Sequence, residues 1–112
     1  MAKVIITNRV EEEVYKVFKK ASTKIFESMR ELENNPHKGK PLGHVGGIVI
    51  KEIKYESYRF YFITDGFKLK ILQKEELHEL IIKFVRMSDK KNQQTTIDEI
   101  KSILRKLGEE GF

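Results

Sequence analysis

The chain has 112 residues, 39% of them hydrophobic, which is enough for one domain with a buried core over residues 1–112. It has no cysteine, and this excludes disulfide bonds, a thiolate nucleophile and a cysteine-based zinc site. No apolar run approaches the ~20 residues that span a bilayer or resembles a secretory signal, so we expect a cytoplasmic protein without a membrane partner. The net charge of +5 points to an acidic partner, such as nucleic acid.

The first third of the chain predicts a strand followed by helix. Residues 3–6 form a short strand candidate, and Thr7 or Asn8 can cap a helix after it. Periodicity alone leaves open one helix of about 25 residues or two helices broken near residues 21–23. The helical segment is predicted to end at residues 34–36, Asn-Asn-Pro. Its apolar residues recur at spacings of three and four: Val10, Val14, Val17, Phe18, Ala21, Ile25, Met29 and Leu32.

A loop and a first strand are predicted next. Residues 36–47 hold both prolines and four of the seven glycines, which is typical of a loop. In the strand that follows, residues 48–55, the alternation of apolar side chains slips at Lys51 and Glu52. A β-bulge there would restore the alternation and would place Lys51 and Lys54 on the same exposed face.

Three more strands and a helix complete the predicted fold. Residues 58–64 form a strand, Asp65-Gly66 favours a hairpin turn into a strand at 67–71, and residues 80–87 are apolar enough for the centre of a sheet. The last helix begins between Ser88 and Thr96 and ends at Gly108. Its predicted buried stripe is Ile97, Ile100, Leu104 and Leu107. We therefore predict an α+β domain: an N-terminal helical hairpin or long helix on an antiparallel sheet of about four strands, with a C-terminal helix and the helices grouped against one sheet face.

The segment 51–63 combines cations with aromatic rings on two adjacent strands. Lys51, Lys54 and Arg59 could bind an RNA backbone, and Tyr58 and Tyr61 could stack on bases. An ordinary solvated basic sheet face, with tyrosines packed at its edge, is the alternative interpretation. The three histidines, His37, His44 and His78, have no metal-ligand spacing, so no metal or cofactor is expected.

Four segments together resemble one protein family. They are Leu-Glu-Asn-Asn-Pro at 32–36, Lys-Gly-Lys-Pro-Leu-Gly at 38–43, Ser-Tyr-Arg-Phe-Tyr-Phe-Ile at 57–63 and Ile-Ile-Lys-Phe-Val-Arg-Met at 81–87. This pattern, over roughly residues 8–107, is similar to the RelE/ParE toxin superfamily of toxin–antitoxin modules. The resemblance implies a toxin that is neutralised by a cognate antitoxin protein. In the RelE branch such a toxin cuts mRNA in the ribosome, whereas in the ParE branch it poisons DNA gyrase.

The resemblance also implies site residues for a metal-independent mRNA endonuclease. Arg59 matches the arginine of the Tyr-Arg strand, Lys54 and Lys51 match or neighbour basic positions on the preceding strand, and Arg86 lies at or next to the basic position that ends the last strand. These four are the predicted catalytic residues, and the expected RNA contacts are Lys38, Lys40, Tyr58, Tyr61, Lys90 and Lys91.

The chain departs from that pattern before the C-terminal helix. Where a tyrosine or histidine would move protons, it has Asn92, Gln93 and Gln94, whose amides cannot do so at neutral pH. Three functions therefore stay open: an mRNA endonuclease, a ParE-like gyrase inhibitor, and a RelE-like binding module that has lost cleavage.

Overall fold

The computed structural model describes all residues 1–112. Its N-terminal part is a strand followed by a helical hairpin. Strand β1 (Lys3–Ile6) leads into helix α1 (Asn8–Phe18), and helix α2 (Ser22–Arg30) follows a 3-10 turn. The positive φ of +52° at Lys19 interrupts the helical backbone. The ring centroids of Tyr15 and Phe26 lie 5.2 Å apart, although eleven residues of straight helix would separate them by about 16 Å. The helix is therefore broken and folded back on itself.

The rest of the chain supplies four more strands and two more helices. In chain order they are β2 (Lys40–Val45), β3 (Ile48–Tyr55), β4 (Tyr58–Asp65), α3 (Gly66–Ile71), β5 (Ile81–Asp89) and α4 (Gln93–Leu107). The sheet order is β1-β5-β4-β3-β2, with β1 parallel to β5 and all other pairs antiparallel. The α+β class and the C-terminal helix are confirmed, but the sheet is mixed and has five strands. The radius of gyration of 13.4 Å is close to the ~13 Å expected for a compact chain of this length.

Helices cover both faces of the sheet, which corrects the prediction that they share one face. Each face has its own hydrophobic core, because alternate residues of a strand point to opposite sides. Under the α1–α2 hairpin the core includes Val14, Met29, Phe60, Phe62 and Phe84. Under α4 it includes Ile50, Tyr61, Val85, Ile100 and Leu104. Leu107, predicted to belong to the buried stripe of the last helix, is the last residue of α4 and is 65% exposed, so the buried stripe ends at Leu104.

Two local predictions are wrong. Residues 40–45 of the predicted loop form the edge strand β2, which pairs with β3. The segment 67–71 is helix α3 and not a strand. The Asp65 carboxylate accepts hydrogen bonds of 3.0 Å from the backbone N–H groups of Phe67 and Lys68, and such an N-cap starts a helix where a hairpin turn was expected.

The register of β3 contains no bulge at Lys51 and Glu52. Its pairing with β4 is continuous from Ile48 opposite Asp65 to Tyr55 opposite Tyr58. The irregularities lie elsewhere: in β2 between Pro41 and Gly43, and in the pairing of β4 with β5 next to Tyr61. Lys51 and Lys54 therefore point to opposite faces of the sheet, and the prediction that they share a face is wrong. None of the helices has the length and apolar character needed to cross a membrane.

Candidate functional site

One end of the sheet gathers five of the cations that the sequence suggested. At this end β3 and β5 finish, β2 and β4 begin, and the chain turns from β5 into α4. Lys54 is opposite Arg59, and Arg59 is in turn opposite Ser88. Lys40 is opposite Glu52, on the same face as these residues. We call Lys40, Lys54, Arg59, Lys90 and Lys91 the basic end of the sheet; all but Arg59 are exposed.

Arg59 is held in a buried ion pair on the α4 face. Its Nε lies 3.3 Å from Oε2 of Glu52, and the two side chains are only 8% and 1% exposed. The pair has no directed hydrogen bond between these atoms, since both Arg59 Nε and Glu52 Oε2 lack a hydrogen-bond partner. The attraction is therefore a charge–charge contact in a site with little water, and it offsets the positive charge of Arg59.

Two further polar contacts surround this pair. Gln93, the first residue of α4, donates from Nε2 to Oε1 of Glu52 over 3.0 Å. The Tyr61 hydroxyl and the Ser88 Oγ are 2.7 Å apart, and Ser88 Oγ donates to the backbone carbonyl of Asp89. Because a hydroxyl has one proton to give, Tyr61 is the donor to Ser88. Burial, with a smaller contribution from the nearby Glu52 carboxylate, raises the pKa of the Tyr61 phenol above its usual range.

Lys51 lies on the other side of the sheet, facing the α1–α2 hairpin. Its Nζ donates to the backbone carbonyl of His37 over 2.9 Å and sits 5.9 Å from the centroid of the Phe62 ring. Burial lowers the pKa of this amine, as a general base would require. The sheet nevertheless separates Lys51 from Arg59, so the two cannot act on one phosphate in this structure.

Arg86 shares the α4 face with Arg59 but is also covered. Its Nε donates to Glu99 over 2.6 Å, and its guanidinium lies 5.1 Å from the ring of Phe112. The side chain is 11% exposed. Glu99 also lies 3.8 Å from Arg9, so one carboxylate serves two arginines.

The predicted RNA contacts divide into exposed and covered side chains. Lys40, Lys90 and Lys91 are exposed, and Lys38 is exposed but pairs with Glu31 over 3.0 Å. Tyr58 is half-buried and packs edge-on against Phe18, with ring centroids 5.1 Å apart. Tyr61 is completely buried in the core beneath α4, so its predicted role in base stacking is wrong for this structure.

Sequence reasoning missed Glu52 and Gln93, the two residues that control the surroundings of Arg59. A regular strand without a bulge would have placed Glu52 on the same face as Arg59, so the alternation held part of this signal. The contact with Gln93 joins residues 41 positions apart and leaves no local pattern.

Neither a metal-binding cluster nor a match to a known protein identifies the ligand of this surface. No group of three or more histidine, aspartate or glutamate side chains is placed to hold a metal ion. The chain matches no protein-family model, no curated protein and no solved structure.

Proposed function

We propose that the chain is the toxin of a RelE/ParE-type toxin–antitoxin module, that it works in the cytoplasm, and that it acts on mRNA in the ribosome. The observation that supports this proposal is the basic end of the sheet. There the sheet register and the β5–α4 turn bring together five cations from separate parts of the sequence. Fixed cations on a sheet suit the phosphates of a single-stranded nucleic acid.

Cleavage of RNA at such a surface needs no metal ion. The 2′-hydroxyl gives up its proton to solvent and attacks the adjacent phosphorus, the bond from phosphorus to the 5′-oxygen breaks, and that oxygen leaves with a proton from solvent. The product is a 2′,3′-cyclic phosphate, and nearby cations stabilise the charge that builds up on the phosphoryl oxygens. Arg59 has the planar group that suits two phosphate oxygens, and exposed Lys54 beside it can bind the next phosphate. In this scheme Lys51, on the other side of the sheet, takes no part in the chemistry.

The second candidate is a toxin or binding module of the same type that binds its target without cutting it. Its support is the environment of Arg59, whose charge is offset by buried Glu52. The positions where a proton-transferring side chain was expected hold amides that are engaged in structural bonds: Asn92 with Asp89, Gln93 with Glu52 and Gln94 with Asp98. A gyrase-directed, ParE-like action belongs to this candidate.

Induced expression in bacteria separates these functions. The endonuclease predicts growth arrest with new mRNA 5′ ends by primer extension, and both effects should weaken in Lys54→Ala. The matched control is Lys24→Ala, which removes an exposed lysine from α2 on the other face. Arrest without new 5′ ends but with a DNA-damage response would select gyrase inhibition. If the wild-type chain arrests nothing, the toxin proposal fails.

A further inference from the structure

The Glu52 carboxylate occupies the place where the basic end of the sheet would hold an anion. It lies 3.3 Å from the Arg59 guanidinium, Lys40 is its cross-strand neighbour, and Lys54 follows two residues later on the same face. The three cations thus surround the Glu52 carboxylate as they would surround a bound phosphate.

Arg59 keeps unused hydrogen-bonding capacity in this arrangement. Its Nε has no hydrogen-bond partner, and its Nη1 makes only a 3.4 Å contact to the backbone carbonyl of Tyr58. A guanidinium has five donors, so a phosphate could form better-directed bonds to Arg59 than Glu52 does. An anion that accepts directed hydrogen bonds, such as phosphate, would therefore compete with the Glu52 carboxylate for Arg59.

Gln93 holds Glu52 in its present position. It is the first residue of α4, and its amide donates to the Glu52 oxygen that does not face Arg59. The N-cap residue Asn92 makes no side-chain capping bond to the helix, and the contact from Gln93 to Glu52 ties the first turn of α4 to strand β3.

We propose that Glu52 and Gln93 form a latch that keeps Arg59 closed until the phosphate of a single-stranded RNA displaces the Glu52 carboxylate. This inference rests on the proposed function, because it concerns the regulation of the same basic site. The latch limits affinity for RNA in the free protein and links phosphate binding to a movement of the first turn of α4.

The test compares Gln93→Ala with Gln94→Ala, its neighbour, which is exposed and bonds only to Asp98. Binding of a fluorescent single-stranded RNA 12-mer is followed by anisotropy. Loss of one hydrogen bond to a charged group corresponds to roughly a 10-fold change in an equilibrium constant, so Gln93→Ala should bind about 10-fold more tightly while Gln94→Ala matches the wild type. Glu52→Gln should also steepen the salt dependence by about 0.7 in log–log slope, as for one extra phosphate contact.

A second readout needs no RNA. Modification of arginines by phenylglyoxal, mapped by mass spectrometry, should be slow at Arg59 in the wild type and in Gln94→Ala and several-fold faster in Gln93→Ala. Equal rates at Arg59 in Gln93→Ala and Gln94→Ala overturn the latch, even if Glu52→Gln fails to fold. Faster modification in Gln93→Ala with no RNA binding by any of the proteins supports the latch and rejects RNA as the ligand.

Discussion

Removing Arg59 should strongly destabilise the folded state, because Glu52 would remain as an uncompensated buried charge. Glu52 is 1% exposed, and without Arg59 its side chain keeps only the hydrogen bond from Gln93. Removing one partner of a buried ion pair lowers the free energy of unfolding by about 3–5 kcal/mol, and a typical domain has about 5–15 kcal/mol in total. We therefore expect Arg59→Met to lower the free energy of unfolding by about 4 kcal/mol.

Urea denaturation followed by circular dichroism measures this loss. With a slope near 2 kcal/mol per molar urea, the midpoint should fall by roughly 2 M at unchanged slope. The double variant Glu52→Leu/Arg59→Met should recover most of the loss, since an apolar pair leaves no buried charge. Arg105→Met, at an exposed position of α4, is the control and should change stability by less than about 0.5 kcal/mol. A cost below about 1 kcal/mol for Arg59→Met would refute the burial of this pair.

Three further substitutions test other parts of the structure. Gly39→Ala should lower the free energy of unfolding, measured by urea denaturation, by about 2–3 kcal/mol, because φ is +107° and a Cβ would lie 2.8 Å from a core phenylalanine ring. The control Gly46→Ala has a positive φ but open space around the Cβ, and should lower it by about 1 kcal/mol. Equal losses for the two variants would contradict the packing around Gly39. Lys51→Met should raise stability at pH 7. Burial lowers the pKa of the Lys51 amine, so the unfolded wild type binds the ammonium proton more tightly than the folded wild type does. The wild type therefore gains stability as pH rises through the folded pKa towards 10.5, and the stability advantage of Lys51→Met should shrink over that range. A stability advantage that does not change with pH would contradict the burial of the amine. Phe112→Ala should speed phenylglyoxal modification of Arg86 several-fold, and an unchanged rate would show that the ring does not shield it.

The class of the fold could be predicted from the sequence because long periodic segments decide it. The helical spacing before Pro36 and the apolar strand at 81–89 correspond to real elements. The pattern Phe-Lys-Leu-Lys-Ile at 67–71 was misleading, since five alternating residues also fit a short helix. The Asp65 N-cap favours the helix, and exposed Phe67 and Ile71 contribute little packing to oppose it.

The error at Lys51 has a more general physical cause. A bulge would be necessary only if one core had to bury both Ile50 and Ile53, because these residues point to opposite faces of a regular strand. With α4 on one face and the helical hairpin on the other, Ile50 packs under α4 and Ile53 packs under the hairpin, and no bulge is needed. The sequence predicted Arg59 as a candidate site residue. Its pairing with Glu52 depends on the sheet register, and the hydrogen bond from Gln93 to Glu52 depends on the tertiary position of α4.

The salt dependence of RNA binding tests the central claim most directly. Lys90→Ala/Lys91→Ala removes two cations from the basic end, whereas Lys68→Ala/Lys70→Ala removes two exposed cations from α3, which follows the opposite end of β4. For a single-stranded RNA 12-mer, the first variant should lower the log–log salt slope by about 1.4, and the second should leave it unchanged. Equal slopes for the two variants would contradict the assignment of the basic end of the sheet as the RNA-binding surface.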